Sequence, residues 1–261
     1  MGKRRPLTVE EKAKSYSKYY YYEMEKPNPK IIDKIKQIDP KDALLFKDRN
    51  DLLKPGYLKS EYGYCKMPNG DGYVSNLTKM PGVTEEMINW WFAWHGLDPL
   101  RYKIWDPEDH FDLQVKEEDR KRLLDPTIPT RERVWGVTHH INEDIGIPWH
   151  LNLILRLMRK DPYELVVNFA SPSEFGFDTT QFKEPNVATA ICGKTGDNHG
   201  ACQFFRTIEG GLELRTRFWL PAEQKIPLSI IKGLNFHVIK EYTNLAKILP
   251  KVYTEESNKP S

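Results

Sequence analysis

Between Pro227 and Pro250 the apolar positions of LSIIKGLNFHVIKEYTNLAKIL recur with helical spacing. Proline suits the first turn of a helix and is poor within one. Residues Leu228–Leu249 are therefore predicted as one helix of about six turns, bounded by the two prolines. Ile230, Ile231, Leu234, Val238, Leu245, Ile248 and Leu249 fall in one apolar arc of about 100°, with Lys232, Lys240 and Lys247 off it. Glu241 lies inside that arc and His237 at its edge, four residues apart and so neighbours on one face. A carboxylate on a buried stripe needs a partner, either a hydrogen-bonding base or a metal.

The same periodicity predicts a second helix from Thr84 to His95, with Thr84 as cap, Glu85 and Glu86 in the first turn and Gly96 at the stop. Its Trp90, Trp91, Phe92 and Trp94 read mostly as core. The following run, HGLDPLRYKIWDPEDHF (95–111), reads as a loop with two Asp-Pro turns. It concentrates His95, Arg101, Tyr102, Trp105 and His110, the mixture that a scaffold presents to a pocket. ERVWGVTHHINEDIG (132–146) reads as a strand entering an acidic turn. Alternation sets Val134, Gly136, Thr138 and His140 against Trp135, Val137 and His139, so at most one of the adjacent histidines enters a given site.

Further strands are predicted at Tyr163–Phe169, Ala201–Arg206 and Gly211–Leu220, the last two joined by a tight turn through Glu209-Gly210-Gly211. Glu213, Arg215, Arg217 and Trp219 share one face, opposite Leu212, Leu214, Thr216 and Phe218. Leu151–Met158 fits helix or strand equally, and 171–198 reads mostly as loop with a short strand. Residues 1–60 are charged and tyrosine-rich, with short proline-punctuated helices. That arm is compatible with a packing strap, a lid or an oligomer edge. The order of elements predicts a curved antiparallel sheet closed by the C-terminal helix.

Composition narrows the class. Of 261 residues, 39% are hydrophobic and 12% aromatic, which supports a globular interior rather than disorder. The net charge of +2 comes without a single-sign run, so nucleic acid is not suggested. No apolar run approaches the ~20 residues that span a bilayer. The start MGKRRPL is followed by polar residues rather than by a signal-peptide core. Cys65, Cys192 and Cys202 form no CxxC pattern, consistent with reduced thiols in a cytoplasmic protein.

Zinc accepts imidazole nitrogen and carboxylate oxygen, usually from three or four ligands. His237 and Glu241 offer two from one helix, and His110, His140 and Glu143 are candidates for the rest. The competing reading is a buried pair hydrogen-bonded to Arg215 or Arg217. No GxSxG elbow, Walker A loop, dinucleotide fingerprint or HExxH motif is present. An enzyme here would lean on a metal rather than on an acyl-enzyme.

WWFAWHGLDPLRYKIWDPEDHF (90–111), THHINEDIG (138–146), GGLELRTRFW (210–219) and HVIKEY (237–242) together resemble the 2,4-diacetylphloroglucinol hydrolase and phloretin hydrolase family. The resemblance implies a dimeric, zinc-dependent hydrolase cleaving the carbon–carbon bond between an acyl group and a phloroglucinol ring. It also implies an α+β, Bet v 1-like helix-grip domain at 84–254, a mainly helical N-terminal region at 1–83 and a polar tail at 255–261. His110, Glu143, His237 and Glu241 match the zinc ligands, and Tyr102 matches a substrate-contacting tyrosine that can also pass a proton. Trp91, Trp94 and Trp105 are expected to wall the aromatic pocket, and Arg217 completes the substrate contacts. One departure stands out: Gln203 falls where the pattern HxxR leads one to expect a histidine, which leaves proton transfer to His199 or Tyr102. A metal-free helix-grip binding protein for aromatic ligands and a metal hydrolase of other 1,3-diketones are the alternatives.

Overall fold

A computed structural model describes residues 4–146 and 164–259. Eight strands lie in it: β1 (Gly63–Lys66), β2 (Gly72–Pro81), β3 (His110–Gln114), β4 (Thr138–Glu143), β5 (Glu164–Ala170), β6 (Thr189–Lys194), β7 (Gly200–Ile208) and β8 (Gly211–Leu220). They form one antiparallel sheet in the order β1-β2-β8-β7-β6-β5-β4-β3. Residues 151–158, whose pattern fits helix or strand, lie outside the described residues, as does residue 163.

Two expectations are corrected by this topology. Among the described residues β1 and β3 are the two edges of the sheet and do not pair, so the sheet is open and the closed helix-grip reading does not hold. Hydrophobic alternation fixes which face of a strand is buried, but it does not say whether the outermost strands meet. The N-terminal region is likewise not mainly helical. The PNGD turn joins β1 and β2 as a hairpin, and β2 pairs with β8 from Gly72↔Leu220 to Pro81↔Gly211.

The tryptophan helix, Glu85–His95, begins where the sequence predicts, with the Thr84 hydroxyl accepting from the Met87 N–H at 3.3 Å. The next stretch is a helix, Pro99–Trp105, rather than a loop. Asp98 accepts from the Leu100 N–H at 2.9 Å and Pro99 takes the first helical position, so this Asp-Pro pair starts a helix instead of making a turn. The C-terminal helix, Leu228–Glu256, continues through Pro250. Proline removes one helical hydrogen bond there, but tertiary contacts hold the extra turns. Val252 is buried, and the Tyr19 hydroxyl donates to Glu255 at 2.8 Å and Glu256 at 3.0 Å.

Layers form on both faces of the sheet. The C-terminal helix covers one face with Ile231, Leu234, Val238, Leu245 and Leu249, the stripe read from the sequence. Residues 44–53 cover part of the other, where Trp219 donates to the Leu44 carbonyl at 2.7 Å beside Phe46, Phe175 and Phe204. Residues 4–30 pack against the domain as a strap. Tyr19 and Tyr20 are buried, and Tyr16 meets Trp94 edge-on at 5.6 Å.

Candidate metal centre and cavity

A cavity of about 530 Å³ lies between β4–β8 and the C-terminal helix. It is lined by apolar side chains including Phe92, Ile141, Phe169, Ile191, Phe218 and Val238, with Tyr102, Glu143, His237 and Glu241 among the polar ones. This combination of an apolar wall and a few convergent polar groups is the usual form of a small-molecule site.

Three elements bring the polar groups together. The turn after Trp105 delivers His110 to the first position of β3, directly opposite Glu143 at the end of β4. The C-terminal helix supplies His237 and Glu241 one turn apart. His110 Nε2 lies 3.4 Å from Glu143 and 3.5 Å from Glu241, and His237 Nε2 lies 3.9 Å from Glu143. The ligand atoms of His110, Glu143 and His237 all fall within 4.8 Å of one another.

His110 shows how well these residues suit a metal. Its Nδ1–H donates to the Tyr102 carbonyl at 3.1 Å, which leaves Nε2 as a bare acceptor. That Nε2 is buried and has no hydrogen-bond partner among the described residues, although two carboxylates face it. The Tyr102 ring stacks on His110 at 4.0 Å and 7°, and the Tyr102 hydroxyl donates to Glu143. Two nitrogens and two carboxylates around one orphaned lone pair are a donor set for a divalent ion.

The electrostatics agree. Burial raises the Glu143 carboxyl above its usual range despite the opposing pull of His237 and Tyr102. Burial likewise pushes Glu241 well up, against the pull of His237 and with the added repulsion of Glu143. His110 is pushed well below the ordinary imidazole value by burial and by the charge on His237. Burial opposes the charge on His237 too, but Asp109, 3.8 Å from Nδ1, and the carboxylates Glu143 and Glu241 hold it up to about 10. Two buried carboxylates that resist ionisation are what a bound cation relieves.

A second acidic group, Asp106 with Asp109, lies on the far side of His237. Lys240 fills it, its ammonium 2.6 Å from Asp109, 3.1 Å from Asp106 and 3.1 Å from Glu108. The helical pattern placed Lys240 off the buried arc and gave no sign of this partner. The DPED run at 106–109 was the available signal, but only the fold brings it to the helix.

The other expected site residues divide. Trp105 and Gln203 line the cavity, and the Thr216 hydroxyl donates to Gln203 Oε1 at 2.6 Å. Trp91 is fully buried behind the cavity wall, against Trp105 at 6.2 Å and His95 at 5.8 Å, and Trp94 is not part of the lining. Arg217 is corrected: it lies on the opposite face of the sheet, ion-paired with Glu61. The same holds for Arg215, so neither arginine partners Glu241 and the competing reading of that pair falls. His199 is corrected as well, because it pairs with Asp71 at 3.1 Å and is not part of the cavity lining. His140 is exposed while His139 turns inward, as strand alternation requires of neighbours. His95, from the run read as a binding segment, lines the cavity, and His139 and Tyr242 line it without having been singled out for it.

The fold and site thus define a cavity suited to a small, largely apolar ligand, with a candidate metal-binding cluster at its end. A family model, the DAPG hydrolase PhiG domain, matches residues 44–254. The phloretin hydrolase of Eubacterium ramulus is 34% identical over 95% of this chain and 93% of its own. The 2,4-diacetylphloroglucinol hydrolases of a Pseudomonas species and of Pseudomonas protegens are each 27% identical over 93% of this chain, and over 88% and 84% of their own. The chain belongs to the DAPG hydrolase family and is a hydrolase acting on carbon–carbon bonds. Among the described residues no helix is long and apolar enough to cross a membrane.

Proposed function

We propose that this hydrolase cleaves the bond between an acyl group and a phloroglucinol-type ring, with zinc held by His110, Glu143, His237 and Glu241. The observation that carries the reading is the bare, buried His110 Nε2 facing two carboxylates at the end of an apolar cavity. The names of the relatives supply the substrate class: phloretin and the acetylphloroglucinols both carry an acylated polyhydroxy ring. Homodimer assembly belongs to the same reading.

The chemistry required is a retro-Claisen cleavage. An aryl anion is too poor a leaving group, so the ring carbon bearing the acyl group must first accept a proton. The ring then resembles a β-diketone. Water adds to the ketone carbon, the carbon–carbon bond breaks, and its electron pair passes to a ring oxygen as an enolate. Reprotonation gives phloroglucinol and a carboxylic acid. Zinc, when bound, supplies a Lewis acid for the ketone oxygen and eases deprotonation of water.

The residues of the chain divide the remaining work. Glu143, hydrogen-bonded to the Tyr102 hydroxyl, forms a proton-passing pair at the cavity wall. Trp105 holds the ring position from the side, edge-on to both Tyr102 and His110. The apolar lining keeps bulk water from the enolate.

The test is metal analysis of the purified protein coupled to turnover of phloretin and of mono- and diacetylphloroglucinol. About one zinc per chain is expected, with phloroglucinol released and activity lost on chelation. A metal-free protein that leaves all three ketones intact refutes the proposal.

A further inference from the structure

Several polar groups that line the cavity are already engaged within the protein. The Tyr102 hydroxyl is given to Glu143, Gln203 Oε1 accepts from Thr216, and Glu143, Glu241 and His237 form the charged cluster. Tyr242 differs from them. It is 1% exposed, lines the cavity and follows Glu241 on the C-terminal helix. No hydrogen bond joins its hydroxyl to another described residue. Buried phenols normally find a partner for O–H, so an unengaged one in a cavity wall marks a place where a ligand supplies the acceptor.

Trp105 fixes where that acceptor sits. Its indole meets the Tyr102 ring at 6.3 Å and 89° and the Tyr242 ring at 5.1 Å and 77°. The two phenols therefore flank one indole, carried by different helices. The indole is itself pinned, with Nε1–H donating to the Glu241 carbonyl at 3.1 Å and the Trp105 carbonyl accepting from Asn244 at 2.7 Å. Tyr102 is turned to Glu143, whereas Tyr242 has its donor free for a ligand.

We infer that Tyr242 donates a hydrogen bond to an oxygen of the bound ring and is a second phenol of substrate recognition beside Tyr102. This rests on the reading of the cavity as the site of a phloroglucinol ring. A donor fixed at this point selects a ring that carries oxygen there and rejects one that carries hydrogen, because the latter leaves the hydroxyl unpaired.

The experiment measures binding of phloroglucinol, the unreactive product ring, to purified holoenzyme and to its Tyr242→Phe variant by calorimetry. Metal content and melting temperature are read in parallel. About a tenfold loss of affinity is expected, with metal content retained and melting temperature not lowered, since the hydroxyl has no described protein partner to lose. Equal affinity in the two proteins overturns the inference, as does failure of the wild-type protein to bind phloroglucinol. A variant that melts markedly lower or does not fold also overturns it, because the hydroxyl would then be structural. Turnover of acylphloroglucinols by the wild type is scored separately. Binding that depends on Tyr242 without any cleavage would refute the hydrolase substrate while leaving the role of Tyr242 in place.

Discussion

His110 and Glu143 face each other across the β3–β4 ladder, His110 opening one strand where Glu143 ends the other, with Nε2 3.4 Å from the carboxylate. A β-ladder is a stiff mount, and the pair needs only the C-terminal helix to complete the cluster. Glu241 joins from that helix, 3.5 Å from the same nitrogen.

Replacing Glu241 with alanine removes one of two carboxylates facing His110. Bound metal and turnover are expected to fall together, turnover by at least about 100-fold, more than the loss typical of groups that only support a ligand. Elemental analysis beside a phloroglucinol-release assay checks this. Stoichiometric metal with normal turnover would remove Glu241 from the ligand set.

Tyr102→Phe separates proton transfer from metal binding. The ring keeps its stack on His110, but Glu143 loses its phenolic donor. Turnover should fall by about 100-fold with metal content unchanged. A variant as active as the parent would take Tyr102 out of the proton path.

Metal uptake should release protons. Without metal, His237 is held protonated up to about 10, chiefly by Asp109, Glu143 and Glu241 against the cost of burial. A metal needs the neutral imidazole, so at neutral pH binding expels about one proton from this residue and strengthens as pH rises toward 10. Calorimetry in buffers of different ionisation enthalpy reads the proton count. An uptake independent of pH between 7 and 9 would contradict the assignment.

Glu61 gives a prediction remote from the site. It is buried beneath the sheet between Arg215 and Arg217, whose charges outweigh burial and hold its carboxyl below the usual range. A depressed folded-state pKa contributes stability that is present above the unfolded value of about 4.3 and is lost as pH falls through the folded one. Glu61→Gln leaves two buried guanidiniums without their carboxylate and should cost about 3 kcal/mol at neutral pH. The loss should shrink in acid, where the unfolded state takes up a proton that the ion-paired carboxyl resists. Denaturant titrations at pH 7 and pH 3 test both statements, and equal losses at the two values would refute the second.

Much of the site was legible because helices and strands impose fixed periods. One period of 3.6 put His237 and Glu241 on a shared face, and one of 2 set His139 and His140 on opposite faces, although His140, the one offered as a ligand, is the exposed one. Local chemistry likewise located Thr84 as a cap, and the motif resemblance tied His110 and Glu143 to the same cluster. Where local rules have two outcomes, the sequence reading took the wrong one. Asp98-Pro99, read as a turn, starts a helix, and Pro250, read as the end of the C-terminal helix, is carried through it. Tertiary contacts made by Tyr19 and Val252 decided the second.

What the sequence determined by itself was which residues share a face, because that follows from backbone geometry within one element. The tertiary structure alone decided which faces meet. It turned Arg217 to Glu61 on the far side of the sheet, set Lys240 among Asp106, Glu108 and Asp109, and left the sheet open between β1 and β3. The first two outcomes depend on contacts between residues more than a hundred positions apart, whose balance of burial and pairing no local period encodes.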